Sequence, residues 1–192
     1  MNKRDFLAAS LGAAALPQLA QAAAGAPGPQ SPVLLTVSGA IGRPNRGPLD
    51  PVLDQMMAKQ KIAFDKARVF DFAALTALPA VTIKPTLEYD NKAHSLRGPL
   101  LLDVLKAAGV ADTGKLAMRA VDGYSPTIAI ADARRYHFIV ATHLDGKPMP
   151  LGGLGPLWAV YDADRFPDMA AKPIDQRFAS CPWALYYIDV QG

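Results

Sequence analysis

Apolar runs in this chain are short, and most of them stop at a proline or a glycine. Residues 33–37 end at Ser38-Gly39, residues 72–78 at Pro79 and residues 81–83 before Pro85. Proline removes a backbone donor and glycine weakens a regular element, so 17 prolines and 15 glycines in 192 residues disfavour long helices. Short β-branched and apolar stretches predict strands over 33–37, 69–72, 81–83, 116–121, 127–130, 138–142, 157–161 and 185–190. Asp122-Gly123-Tyr124-Ser125-Pro126 and Asp145-Gly146 are turn sequences between such stretches.

Helical signals are fewer. Asp50 before Pro51, with Val52, Leu53, Met56, Met57 and 62–64 near helical spacing, predicts a helix over 50–66. A second spans 99–108, with Leu101, Leu102, Leu105 and Ala108 on one face and Gly109 as its stop. Residues 72–78 and 131–135 supply helical turns. Many short strands with few short helices predict an α+β fold of mixed β-sheet. With 51% hydrophobic residues the length suits one domain, expected over 33–192.

The first residues differ from the rest. Lys3 and Arg4 precede an apolar run over 6–16, Pro17 breaks it, and small residues follow through Ala20-Gln21-Ala22. That order predicts a secretory signal peptide over 1–22, cut after Ala22, followed by a flexible Ala/Gly/Pro lead over 23–32. A membrane anchor needs about 20 strongly apolar residues. This run is mostly alanine and is interrupted by Ser10, Gly12, Pro17 and Gln18, so the expected membrane contact is the transient one of a signal peptide. Lys3-Arg4-Asp5-Phe6-Leu7 resembles a relaxed twin-arginine signal, and both twin-arginine and ordinary export fit it. The expected location is the periplasm.

Export would leave 18 basic and 16 acidic groups, a net charge of +2. That balance, without a basic tract, argues against a nucleic-acid partner. A lone cysteine, Cys181, forms no internal disulfide.

Three phrases stand in a fixed order: Arg97-Gly98-Pro99-Leu100-Leu101 running into Asp103-Val104-Leu105, then Asp122-Gly123-Tyr124, then Asp145-Gly146-Lys147-Pro148 leading to Gly155-Pro156-Leu157-Trp158. In this order they resemble the sulfite-oxidase fold, specifically its small exported oxidoreductase molybdopterin-binding domain proteins, over roughly residues 33 to 190. In catalytic members of that family a cysteine thiolate just before the segment matching Arg97-Gly98-Pro99 binds molybdenum. The matching stretch here, residues 81–89, has no cysteine, and Pro85 and Thr86 fall near the vacant position. Cys181 lies far downstream and reads as a small buried hydrophobe.

The resemblance therefore implies the scaffold of a molybdopterin oxidoreductase without its metal anchor: an accessory or ligand-binding protein, with a periplasmic partner protein as a further option. No metal ligand and no catalytic residue is assigned. The alternative is a molybdopterin-dependent oxidoreductase acting on a small anionic substrate. For either, Arg97, Arg119, Tyr124, Arg134, Arg135 and Lys147 are the candidate lining of an anion or pterin pocket, since guanidinium groups hold oxyanions in pairs of hydrogen bonds. The simpler reading of the same cations is solvated surface charge. Tyr124 also reads as part of a structural Asp-Gly turn.

Other motifs carry less. Gly152-Gly153-Leu154-Gly155 leads into an apolar strand instead of a helix, which excludes a phosphate loop. Trp158 and Trp183 read as core. His94, His137 and His143 lack metal-ligand spacing. Glu88, Asp90 and His94 form a local cluster, either hydrating their loop or binding a hard cation or polar ligand.

Overall fold

The computed structural model describes residues 31–192; the signal peptide expected over 1–22 and most of the lead after it lie outside them. Eleven short strands, five short α-helices and two 3-10 turns, joined by loops, form the described residues. The strands are β1 (Val33–Gly39), β2 (Ala67–Asp71), β3 (Ala80–Ile83), β4 (Leu96–Pro99), β5 (Lys115–Ala120), β6 (Thr127–Ala129), β7 (Ile139–Ala141), β8 (His143–Leu144), β9 (Lys147–Pro148), β10 (Trp158–Val160) and β11 (Leu185–Gln191). The helices are α1 (Gln55–Lys59), α2 (Phe72–Thr76), α3 (Leu101–Ala108), α4 (Ile130–Arg135) and α5 (Pro167–Ala170).

Three sheets result. The largest has the order β2-β1-β11-β5-β6, the second is β3-β4-β8-β9, and β7 pairs with β10. Strand β11 runs parallel to β1 and antiparallel to β5, so the sheet is mixed. This is a single α+β domain, as the pattern of short strands predicts. β1 and β11 are buried along most of their length, which explains why apolar residues stand side by side in them where a half-exposed strand would alternate.

Helix α3 buries Leu101, Val104, Leu105 and Ala108 and ends at Gly109, whose φ of 74° is the left-handed conformation that glycine adopts without strain. It starts two residues later than the spacing predicts because Pro99 belongs to β4. The helix expected over 50–66 is mostly absent. Asp50 accepts from the Val52 and Leu53 backbone N–H groups at 2.8 and 3.1 Å, but only 55–59 become α1. Its intended apolar face has no common destination: Val52 and Leu53 are exposed, whereas Ile62 packs with Tyr186 and Tyr187. Without a face to bury, one turn is all that such a short helix sustains.

Two junctions tie these elements together. Strand β4 lies against β7, with Thr142 N–H donating to the Arg97 carbonyl at 2.9 Å and Leu101 N–H to that of Phe138 at 2.8 Å. Strand β10 lies against the segment entering β11, through a bridge between Trp158 and Trp183 and a 2.9 Å bond from Leu185 N–H to the Leu157 carbonyl.

Candidate functional site

Three connections converge beside the start of β11. The turn after β5 is drawn there by the β5–β11 ladder, which Val121 N–H extends to the Ala184 carbonyl at 3.0 Å. Within that turn Asp122 accepts from Tyr124 N–H at 2.9 Å, and the Tyr124 hydroxyl donates to the Ala179 carbonyl. The loop after β3 is pinned from the other side: Lys84 and Thr86 N–H groups donate to the Asp162 and Asp164 carboxylates at 3.3 and 2.7 Å. The third connection, residues 174–184, closes the ring.

Between them lies a cavity of about 280 Å³, lined by the carboxylates Glu88, Asp122 and Asp175 and the rings of Tyr89, Tyr124 and Trp183, with Phe178 and Cys181 deeper. A second cavity, about 460 Å³ and mainly apolar, shares Tyr89, Asp122 and Trp183 with the first and continues to Leu151 and Leu154. Burial, followed by a hydrogen bond to the Glu88 carboxylate, pushes the Tyr89 hydroxyl up to about 12, against an opposing bond from the Trp183 indole. Tyr89 therefore stays protonated and donates to Glu88 at neutral pH.

Cys181 meets Glu88 and Tyr89 in this cavity although it follows them far along the sequence. It is 3% exposed, and burial pushes its thiol far above the ordinary value, outweighing bonds from the Tyr161 backbone N–H and the Ser180 side chain. A buried neutral thiol is a poor metal ligand and a poor nucleophile. Cys181→Ser is expected to lower stability by about 1–3 kcal/mol, because a more polar hydroxyl is then buried in this site. A denaturant midpoint equal to that of the parent protein would contradict it.

Of the six residues expected to form an anion pocket, only Tyr124 lines the cavity of carboxylates and rings. Arg119 borders a separate hollow with Lys61 and Asp189, and Arg134 another with Asp103 and Lys106. Arg134 also pairs with Asp112 at 2.9 Å, and its neighbour Arg135 with Asp168 at 3.0 Å, all four with exposed side chains. Arg97 on β4 and Lys147 on β9 share a sheet but line neither cavity. The five cations are divided among separate elements, Arg97 and Lys147 on one sheet, Arg119 on another and Arg134 and Arg135 on α4. Trp183 is a second correction: at 38% exposed it walls both cavities, whereas Trp158 is the core residue at 1%. Asp175 escaped sequence reading altogether, since nothing local distinguishes it from any other loop carboxylate.

The cluster at Asp90 and His94 is a fastener. His94 Nδ1 lies 2.7 Å from Asp145 and Nε2 3.0 Å from Asp90, tying the β3–β4 loop to the β8–β9 turn. Glu88 instead joins the cavity. The bond to Asp145, then that to Asp90, raises the His94 pKa above 6.5, and His94 in turn holds both aspartates below 3.8. The histidine's contribution to stability is thus complete below pH 6.5 and lost as pH rises through its raised value. That of the aspartates is complete above 3.8 and lost as pH falls through their depressed values. An NMR titration should place the His94 midpoint above 6.5, moving back towards it in Asp145→Asn. A midpoint at or below that value would contradict the fastener.

Among the described residues no helix is long and apolar enough to cross a membrane, and no three His, Cys, Asp or Glu side chains gather as a metal ion requires. No family model and no curated protein matches the chain. Its fold class, an α+β domain of mixed sheets, has a counterpart among solved structures. The chain is similar to the sulfane dehydrogenase SoxCD from Paracoccus pantotrophus, with a TM-score of 0.53 and 13% identity over 82% of this chain. It spans 37% of that protein's chain, and at this identity the likeness is one of fold alone.

Proposed function

We propose that this chain is an exported binding or accessory domain on a sulfite-oxidase-type scaffold, working without a molybdenum-anchoring thiolate. Support for the scaffold comes from the ordered phrases between Arg97 and Trp158 and from the likeness to a sulfane dehydrogenase. One observation carries the rest: the loop after β3, which the resemblance matches to the cysteine-bearing stretch of catalytic relatives, delivers Glu88 and Tyr89 to a cavity walled by carboxylates and aromatic rings.

The residues present do not fit molybdopterin. Its phosphate is an anion, and among the described residues no lysine or arginine lines this cavity, whereas three carboxylates do. Repulsion between like charges at a partly enclosed site opposes such binding. The oxidoreductase alternative has one observation on its side, the meeting of Cys181 with Glu88 and Tyr89. Its buried neutral thiol weighs against it.

Metal analysis tests the reading. Purified from cells able to make the cofactor, the protein should carry far less than one molybdenum per chain and no pterin fluorescence. Stoichiometric molybdenum would overturn it.

A further inference from the structure

Among the described residues ten large hydrophobic side chains are exposed, and half of them, Tyr89, Val121, Tyr124, Leu151 and Trp183, line the two adjoining cavities. They include every exposed aromatic residue in that group. Exposed apolar surface concentrated in a concave place marks a binding site more often than the same residues scattered singly. The two chambers differ in character. The smaller combines aromatic rings with Glu88, Asp122 and Asp175; the larger is bounded by Val121, Leu151, Leu154 and the shared rings of Tyr89 and Trp183.

We infer that the two cavities form one site for an organic cation with an apolar body, the ammonium head among Tyr89, Tyr124 and Trp183 and the body in the Leu151–Trp183 chamber. This deepens the binding role proposed above and rests on it. Charge complementarity selects the head: among the described residues no lysine or arginine lines either cavity, so an anion finds no partner there. An inorganic cation does not suit the site, because its carboxylates are not gathered as metal ligands. A bulky ammonium group does, since it is satisfied by aromatic rings and by carboxylates at longer range. The apolar lining of the second chamber then rewards a hydrocarbon chain attached to that head. Asp122 lines both chambers and stands where head and body would join.

The test is calorimetric titration of the purified chain with four probes, octyltrimethylammonium, tetramethylammonium, octan-1-ol and octyl sulfate, the two surfactants kept below their micelle concentrations and the alcohol below its solubility limit. Octyltrimethylammonium should bind at one saturable site, the head alone and the neutral alcohol each about tenfold or more weaker, and octyl sulfate not at all. The double variant Glu88→Gln/Asp122→Asn should weaken octyltrimethylammonium about tenfold while leaving octan-1-ol nearly unchanged. Trp183→Ala should weaken both. Circular dichroism checks that each variant is folded, and the four probes on the parent protein decide the matter even if Trp183→Ala does not fold. Octyl sulfate binding as tightly as the cation, unchanged cation affinity in the double variant, or no saturable cation binding would each overturn the inference. Failure of the binding role itself reads out separately, as stoichiometric molybdenum in the metal analysis.

Discussion

Gly98→Ala is expected to cost about 3 kcal/mol or more, a large share of the net stability of a domain this size. A Cβ at this position would run into the Val140 carbonyl oxygen and stand 2.7 Å from its carbon and 2.8 Å from the Ala141 Cα. All three are backbone atoms, so no side chain can turn aside to make room. The strand would have to separate from β7, breaking the bonds from Thr142 N–H to Arg97 and from Leu101 N–H to Phe138 that join two sheets. Gly47→Ala is the control: nothing lies within 4 Å of its Cβ position, and its effect should stay within about 0.5 kcal/mol. Urea denaturation of both variants decides the point. Equal midpoints would show that β4 and β7 do not meet so closely.

Trp158→Ala carries the second large effect, about 3–5 kcal/mol. Its side chain is 1% exposed, its ring centroid lies 6.0 Å from that of Phe178, and its indole N–H donates to the Cys181 carbonyl at 2.9 Å. Truncation leaves a void and removes the partner of a buried carbonyl, and such losses compound. Because that carbonyl belongs to the segment flooring the cavity, the variant should also loosen the site, seen as faster hydrogen exchange over residues 178–184. Trp183→Ala, at 38% exposed, should cost far less stability. A midpoint shift for Trp158→Ala no larger than that of Trp183→Ala would contradict the division between core and site.

The two tryptophans show where sequence reading stops. Each follows a proline-containing stretch at the edge of an apolar run, and their local patterns do not distinguish them. What separates them is burial that only the assembled sheets create: Trp158 is enclosed in the core, and Trp183 stands at the cavity wall. The arginines teach the same lesson. Arg97, Arg119 and Arg134 all end or flank regular elements, but Arg97 faces its sheet partners Thr82 and His143, while Arg134 reaches Asp112. Proximity to element ends in sequence is not proximity in space.

Local signals determined much of this protein: the short strands cut by proline and glycine, the α3 helix stopping at Gly109, the turn between β5 and β6, and so an α+β domain of mixed sheets. These depend on periodicity and backbone preference over a few residues, which the chain carries in its own order. The tertiary structure alone decided that Thr36 lies opposite Tyr187, that Ile62 and Phe64 pack with Tyr186 and Tyr187, and that Glu88, Asp122, Asp175 and Cys181 share one cavity. Those are contacts between distant segments, selected by the burial of whole sheets, and no short pattern encodes them.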